Sequence, residues 1–273
     1  MASKFRTIEV SDPAFEKDHL RFITVKSKNL RGRGDICVFV PPVIKKNLPV
    51  VILLHGVYGS CWSWALNGGV HVSAMKMIHE GLIPPMILAM PSDGLWGDGS
   101  GYLQHNGYDF EKWIAEDVPA AIRECFPEVS ASSLFFISGL SMGGFGALKI
   151  GCRYHQLFKA VSVHSSIINI DQLPLFVEED IDQYRQADKT GEDCLETIIK
   201  YKNHLPPLRF DCGTGDELIS YNRQLHQQLQ KAGIDHVYEE FPGGHQWSYW
   251  QQQVKNTLLF FASHSGTEQG SQS

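Results

Sequence analysis

An α/β domain, built on a mostly parallel central sheet with helices on both faces, is the fold class this chain predicts, on three observations. Segments with strand character alternate with segments of helical periodicity through most of the 273 residues, the pattern of strand–helix–strand crossovers. The run Val50-Val51-Ile52-Leu53-Leu54 is apolar throughout, as a strand buried on both faces requires. At 43% hydrophobic residues, a chain of this length can fill one sizeable core.

The start departs from the alternation. His19–Val25 and Asp35–Val40 read as two strands joined by the basic, glycine-bearing turn Lys28–Gly34, an antiparallel ribbon at the edge of the sheet. Val50–Leu54 is the central strand and ends at the loop His55-Gly56-Val57-Tyr58-Gly59. A helix over about Val72–Glu80 leads to a strand at Met86–Met90 and then to a long loop, Pro91–Tyr108, whose length and aromatic content mark it as a wall of a site. Ile114, Val118, Ala121, Ile122 and Cys125 recur at helical spacing and predict a helix over Phe110–Cys125 in spite of Pro119.

Ser133–Ile137 is a short apolar strand, and Gly143–Ile150 opens a helix with small residues at a tight turn. Lys159–Val163 is the next strand. The acidic stretch 170–205, helical around Cys194–Tyr201, is too long for a simple connection and predicts a small cap-like insertion over the site. The alternation then resumes with strand Leu208–Cys212, helix Leu218–Lys231, strand His236–Phe241 and helix Trp247–Phe261; Leu218, Tyr221, Leu225 and Leu229 give the first of these helices one apolar face. The tail 263–273 is small and polar and is expected to fray. Residues 1–273 are therefore expected to form a single domain.

A net charge of -6, without basic runs, argues against a nucleic-acid partner. No apolar stretch approaches the length of a membrane span, and Met1–Arg6 leads into polar sequence with no signal-peptide core. Cys37, Cys61, Cys125, Cys152, Cys194 and Cys212 are scattered without a C-x-x-C pair, which predicts free thiols in a reducing cytoplasm, with disulfides in a secreted enzyme as the alternative. The histidines His19, His71, His79, His226 and His236 lack a metal-ligand spacing, and Gly97–Gly101 lacks the G-K-[ST] ending of a phosphate loop.

The chemistry centres on Gly139-Leu140-Ser141-Met142-Gly143, a G-x-S-x-G sequence where a strand gives way to a helix. Such a turn lifts a serine hydroxyl clear of the sheet, and side chains at the flanking glycines would collide. A serine nucleophile needs a base, and the base needs an acid to orient it. His245, in the glycine loop Pro242–Gly244 after the last strand, can swing back over the sheet. Between them in the chain, Cys212-Gly213-Thr214-Gly215-Asp216-Glu217 closes a strand with two adjacent acids. Asp216 is preferred because it lies nearer the strand end, while Glu217 can serve the positive N-terminus of the next helix; a plain N-cap is the alternative role for Asp216.

A tetrahedral intermediate also needs two oxyanion donors. The Met142 N–H, directly after the nucleophile, is one by the geometry of the turn; Val57 is the choice for the other, with Tyr58 as the alternative, and His55 orients that loop. Tyr58, Trp96 and Tyr102 are expected to line the substrate pocket, whereas Trp247 and Trp250 are read as helix packing and His164 as core, loop or pocket.

Together, Val51–Gly59, Gly139–Leu148, Gly213–Asp216 and Pro242-Gly243-Gly244-His245-Gln246-Trp247 resemble the esterase D-like family of α/β hydrolases over roughly Leu48 to Phe261. That family includes tributyrin and other short-chain carboxylesterases, feruloyl and acetylxylan esterases, and S-formylglutathione hydrolases. The resemblance implies an α/β-hydrolase fold, a triad of Ser141, Asp216 and His245, no cofactor, and hydrolysis of a small-molecule acyl ester through an acyl-enzyme. S-formylglutathione hydrolases typically carry a leucine-threonine-cysteine stretch after the oxyanion glycine; Val57-Tyr58-Gly59-Ser60-Cys61-Trp62 stands here, so the layout looks closer to the tributyrin esterases. The expectation is a short-chain serine carboxylesterase. A thioesterase of the S-formylglutathione type, a feruloyl or acetylxylan esterase, an acyltransferase and a non-catalytic binding module are the alternatives.

Overall fold

The computed structural model describes residues 3–266. Its strands are β1 (Ile8–Val10), β2 (Leu20–Ser27), β3 (Gly32–Phe39), β4 (Val50–Leu54), β5 (Ile87–Pro91), β6 (Gln104–His105), β7 (Tyr108–Asp109), β8 (Phe135–Leu140), β9 (Phe158–His164), β10 (Leu208–Gly213) and β11 (Val237–Phe241). Its α-helices are α1 (Ser63–Leu66), α2 (Val70–His79), α3 (Phe110–Lys112), α4 (Val118–Cys125), α5 (Met142–Arg153), α6 (Cys194–Lys200), α7 (Ile219–Lys231) and α8 (Trp247–Ser263). Among the described residues, nine strands form one sheet in the order β1-β2-β3-β5-β4-β8-β9-β10-β11. Pairing is parallel from β5 to β11 and antiparallel from β1 to β5.

The alternation of side chains along β4 explains the two layers. Val50, Ile52 and Leu54 face a core shared with α4, α5 and α7, while Val51 and Leu53 face one shared with α1, α2 and α8. A strand covered on both sides is apolar at every position, which is why the β4 run shows no period of two.

Several elements differ from their sequence expectation. The N-terminal ribbon is not the sheet edge, because β1 pairs outside β2, with Ile8 opposite Val25. The loop expected over 91–108 contains the short ribbon β6–β7. The helix expected over Phe110–Cys125 is interrupted by a π-helical turn, Trp113–Asp117. Pro119 has no N–H to offer the Ala115 carbonyl and its ring crowds that group, and the wider turn directly upstream is where the backbone accommodates it. Within 170–205 the chain forms 3-10 turns and α6. The tail expected from Ser263 begins later, since Ser263 closes α8; residues 267–273 lie outside the described residues. All six cysteines are free, and no helix among the described residues is long and apolar enough to cross a membrane.

Candidate active site

The loops after β4, β8, β10 and β11 meet at the carboxyl ends of the parallel strands, where open α/β sheets place their sites. Ser141, between β8 and α5, has φ 55° and ψ −122°, a strained conformation for a residue with a side chain. Its N–H donates to the His164 carbonyl at 3.1 Å and its own carbonyl accepts from Phe145 and Ile167, each at 3.2 Å, so the surrounding backbone holds the turn. The flanking glycines are steric necessities. A Cβ on Gly139 would stand 2.1 Å from the Gly143 carbonyl oxygen, and one on Gly143 would stand 2.4 Å from the Leu54 oxygen.

The structure brings together the three residues singled out from the sequence. Ser141 Oγ donates to His245 Nε2 at 3.0 Å, and His245 Nδ1 donates to Asp216, 3.1 Å from Oδ1 and 3.0 Å from Oδ2. Asp216 also receives the Leu218 N–H at 2.8 Å, so it caps the turn into α7 as well as orienting the imidazole. Burial would push the Asp216 carboxyl up; the hydrogen bond and charge of His245, followed by the Leu218 N–H, hold it below the usual carboxylate range. The acid and histidine loops are laced together, with Gly215 N–H donating to the Gly243 carbonyl at 2.8 Å. Gly213 permits that approach, since a Cβ there would lie 2.5 Å from the Gly243 oxygen.

The His245 ring is held between two others. Phe176, from the 170–205 stretch, stacks on it with centroids 5.4 Å apart, and Trp250 meets it edge-on at 5.0 Å.

Of the two candidates for the second oxyanion donor, Tyr58 is already committed, because its N–H donates to the Asp98 carbonyl at 2.8 Å. Val57 is the candidate that remains. Gly99 lets the two candidate donor residues pack at one place, since a Cβ on it would meet the Met142 Sδ at 2.5 Å and the Val57 Cγ1 at 3.4 Å. Helix geometry leaves the Met142 N–H, at the first turn of α5, without an intrahelical acceptor. The loop is braced from beneath: the Asp93 N–H donates to His55 Nε2 at 3.1 Å, His55 Nδ1 donates to the Gly56 carbonyl at 2.7 Å, and Tyr102 Oη donates to the His55 carbonyl at 3.0 Å.

A cleft of about 540 Å³ opens over Ser141 and is lined by Val57, Tyr58, Trp62, Asn67, Leu140, Phe176, Glu217, His245, Gln246, Trp247 and Trp250. Tyr58 lines it as expected from the sequence, and its hydroxyl donates to the Phe176 carbonyl. Two expected pocket residues do not. Tyr102 is fully buried and acts on the His55 loop from below. Trp96 packs edge-on against His105 at 4.6 Å and Tyr184 at 5.5 Å, because a ring on this loop finds more apolar surface beneath it than at the cleft. In the opposite sense, Trp247 and Trp250, read as helix packing, form part of the wall. Their place directly after His245 was the available signal; Phe176 and Trp62 had none, since each reaches the cleft through loop geometry. His164 does not face the cleft. It is fully buried and hydrogen-bonds Asp211 at 2.8 Å, and Asp211 also binds Arg209 at 2.6 Å and the Tyr249 hydroxyl at 2.8 Å.

Comparison with known proteins relates the chain to esterases. Residues 27–261 match the family model described as "Putative esterase". An acetyl esterase from Caldicellulosiruptor saccharolyticus is 28% identical over 245 residues, 83% of this chain and 88% of that protein. Among solved structures, a ferulic acid esterase superposes with a TM-score of 0.77 at 25% identity, covering 96% of this chain and 100% of the other. An S-formylglutathione hydrolase from Staphylococcus aureus shares the α/β-hydrolase fold with a TM-score of 0.76 at 18% identity, over 93% of this chain and 99% of the other. With the family model spanning the sheet from β3 to β11 and the whole of the candidate site, the chain belongs to this esterase family.

Proposed function

We propose that this protein is a serine carboxylesterase that hydrolyses short-chain acyl esters through an acyl-enzyme. The observation that carries the reading is the continuous contact from Ser141 Oγ through His245 to Asp216 at the floor of an aromatic cleft. Ser141 Oγ attacks the ester carbonyl while His245 Nε2 takes its proton, and Asp216 stabilises the imidazolium that forms. The Val57 and Met142 N–H groups receive the charge that develops on the carbonyl oxygen. His245 returns the proton to the leaving alcohol as the tetrahedral intermediate collapses. Water, deprotonated by the same nitrogen, then attacks the acyl-enzyme and releases the acid and free Ser141. The 28% identical acetyl esterase supports a small acyl group.

The aromatic wall formed by Trp62, Phe176 and Trp247 favours a second reading, an ester of a hydroxycinnamic acid. Turnover of 4-nitrophenyl acetate and butyrate that vanishes in Ser141→Ala is the expected result. Activity surviving that substitution refutes the serine mechanism. A feruloyl ester hydrolysed faster than both short esters decides for the second reading.

A further inference from the structure

The walls of the cleft carry an uneven charge. No lysine or arginine lines it; apart from His55 and His245, the ionisable side chains on it are Glu217 and the Tyr58 phenol. Glu217 is exposed and, among the described residues, its carboxylate has no ion pair or hydrogen-bond partner. At the mouth, Tyr58 is tied to a second acidic group. Its N–H donates to the Asp98 carbonyl, Asp98 Oδ2 accepts the Glu178 N–H at 2.9 Å, and Glu179 Oε1 accepts the Asp98 N–H at 3.0 Å. These hydrogen bonds hold Asp98 and Glu179 in place through neutral donors, so none of the three acids has its charge cancelled by a lysine or arginine. The field is felt locally: desolvation first, and then the charges of Asp98, Glu178 and Glu179, push the Tyr58 hydroxyl up.

The cleft that Glu217 lines is also lined by the rings of Tyr58, Trp62, Phe176, Trp247 and Trp250, and aromatic faces attract cations through the ring quadrupole. We propose that the cleft selects esters bearing an ammonium-type cation and disfavours anionic esters, with Glu217 as the specificity-determining residue and Glu178 adding to the field at the mouth. The inference rests on the serine esterase reading of the same site. It deepens that reading because the contacts among Ser141, His245 and Asp216 do not distinguish a cationic ester from a neutral one of the same shape.

The test separates charge from shape and binding from turnover. Ser141→Ala protein, which cannot consume the ligand, is titrated with acetylcholine and with 3,3-dimethylbutyl acetate, in which carbon replaces the cationic nitrogen. Exposed carboxylates beside an ammonium bound among aromatic rings predict about fivefold tighter binding of the cation at low ionic strength. That preference should drop below about twofold when Glu217→Gln and Glu178→Gln are added, and should also shrink in about 0.5 M salt. Equal affinities, tighter binding of the neutral ester, or a preference that survives both substitutions overturns the proposal. Hydrolysis of 4-nitrophenyl acetate by the unsubstituted chain tests the esterase reading separately, so failure of one is not mistaken for failure of the other.

Discussion

Replacing Gly143 by alanine probes whether the turn at Ser141 is set by contact with the neighbouring strand. The new Cβ would stand 2.4 Å from the Leu54 oxygen and 2.5 Å from the His55 oxygen, both backbone atoms that no rotamer change can move. To restore an ordinary contact, the start of α5 and the end of β4 must part by roughly 1 Å. Met142 opens α5 and Val57 lies in the loop that leaves β4, so the strain falls on the spacing of the two proposed oxyanion donors. Misplacement of that size costs about 100-fold in rate, and overpacking costs about 1–3 kcal/mol of stability. A second variant separates the effects. Gly151→Ala, further along α5, sets a Cβ 2.3 Å from Val161 Cγ2 and should destabilise the fold without a selective loss of kcat. The assay is kcat and KM for 4-nitrophenyl acetate beside a thermal melt of each variant. A folded Gly143→Ala protein whose kcat stays within about threefold of the unsubstituted chain refutes the argument that backbone contact sets the oxyanion geometry.

Asp216→Asn should lower kcat by about 10³- to 10⁴-fold, because an amide no longer enforces the Nδ1–H tautomer of His245; Glu217→Gln should cost far less, and the reverse order would move the orienting role to Glu217. The depressed Asp216 carboxyl also adds stability that is complete above its unfolded value of about 3.9 and is lost as pH falls through the folded one, so denaturant titrations from pH 6 downward should show a steeper loss in the unsubstituted chain than in Asp216→Asn. Lys149 is 1% exposed, with Nζ 4.4 Å from the centre of the Phe145 ring, and burial brings its pKa down to about 8. Below that pH the ammonium is charged in both states and its burial cost is present in full; between pH 8 and about 10.4 the unfolded chain holds the extra proton and stability rises with pH. Lys149→Met should therefore be the more stable protein at pH 7, with an advantage that narrows above pH 8 in urea melts.

How far the sequence reaches depends on whether a feature is local. Val50–Leu54, the strand before Ser141 and the glycines around it were legible because burial on both faces and a forced turn leave marks on consecutive residues. That Asp216 and His245 meet Ser141 was legible because each follows a strand whose end the glycines announce. In both cases the local pattern and the position in the alternation pointed the same way.

What was not legible depends on where a loop turns after leaving the sheet. Trp96 and Tyr102 carry the composition of a pocket wall, yet both pack inward, one against His105 and Tyr184 and the other beneath His55. Phe176, about thirty-five residues beyond Ser141 in a polar stretch, reaches His245 instead. Periodicity cannot separate these cases, since an aromatic ring gains from burial on either side and the choice depends on which apolar surface the neighbouring loops leave open. Trp250 shows that the two outcomes are not exclusive. It is 6% exposed and packs in the α8 layer with Val254 and Leu258, while it meets the His245 ring edge-on and lines the cleft. Reading it as packing was therefore correct about its energetics and incomplete about its position, because the layer that α8 buries continues without a break into the wall of the cleft.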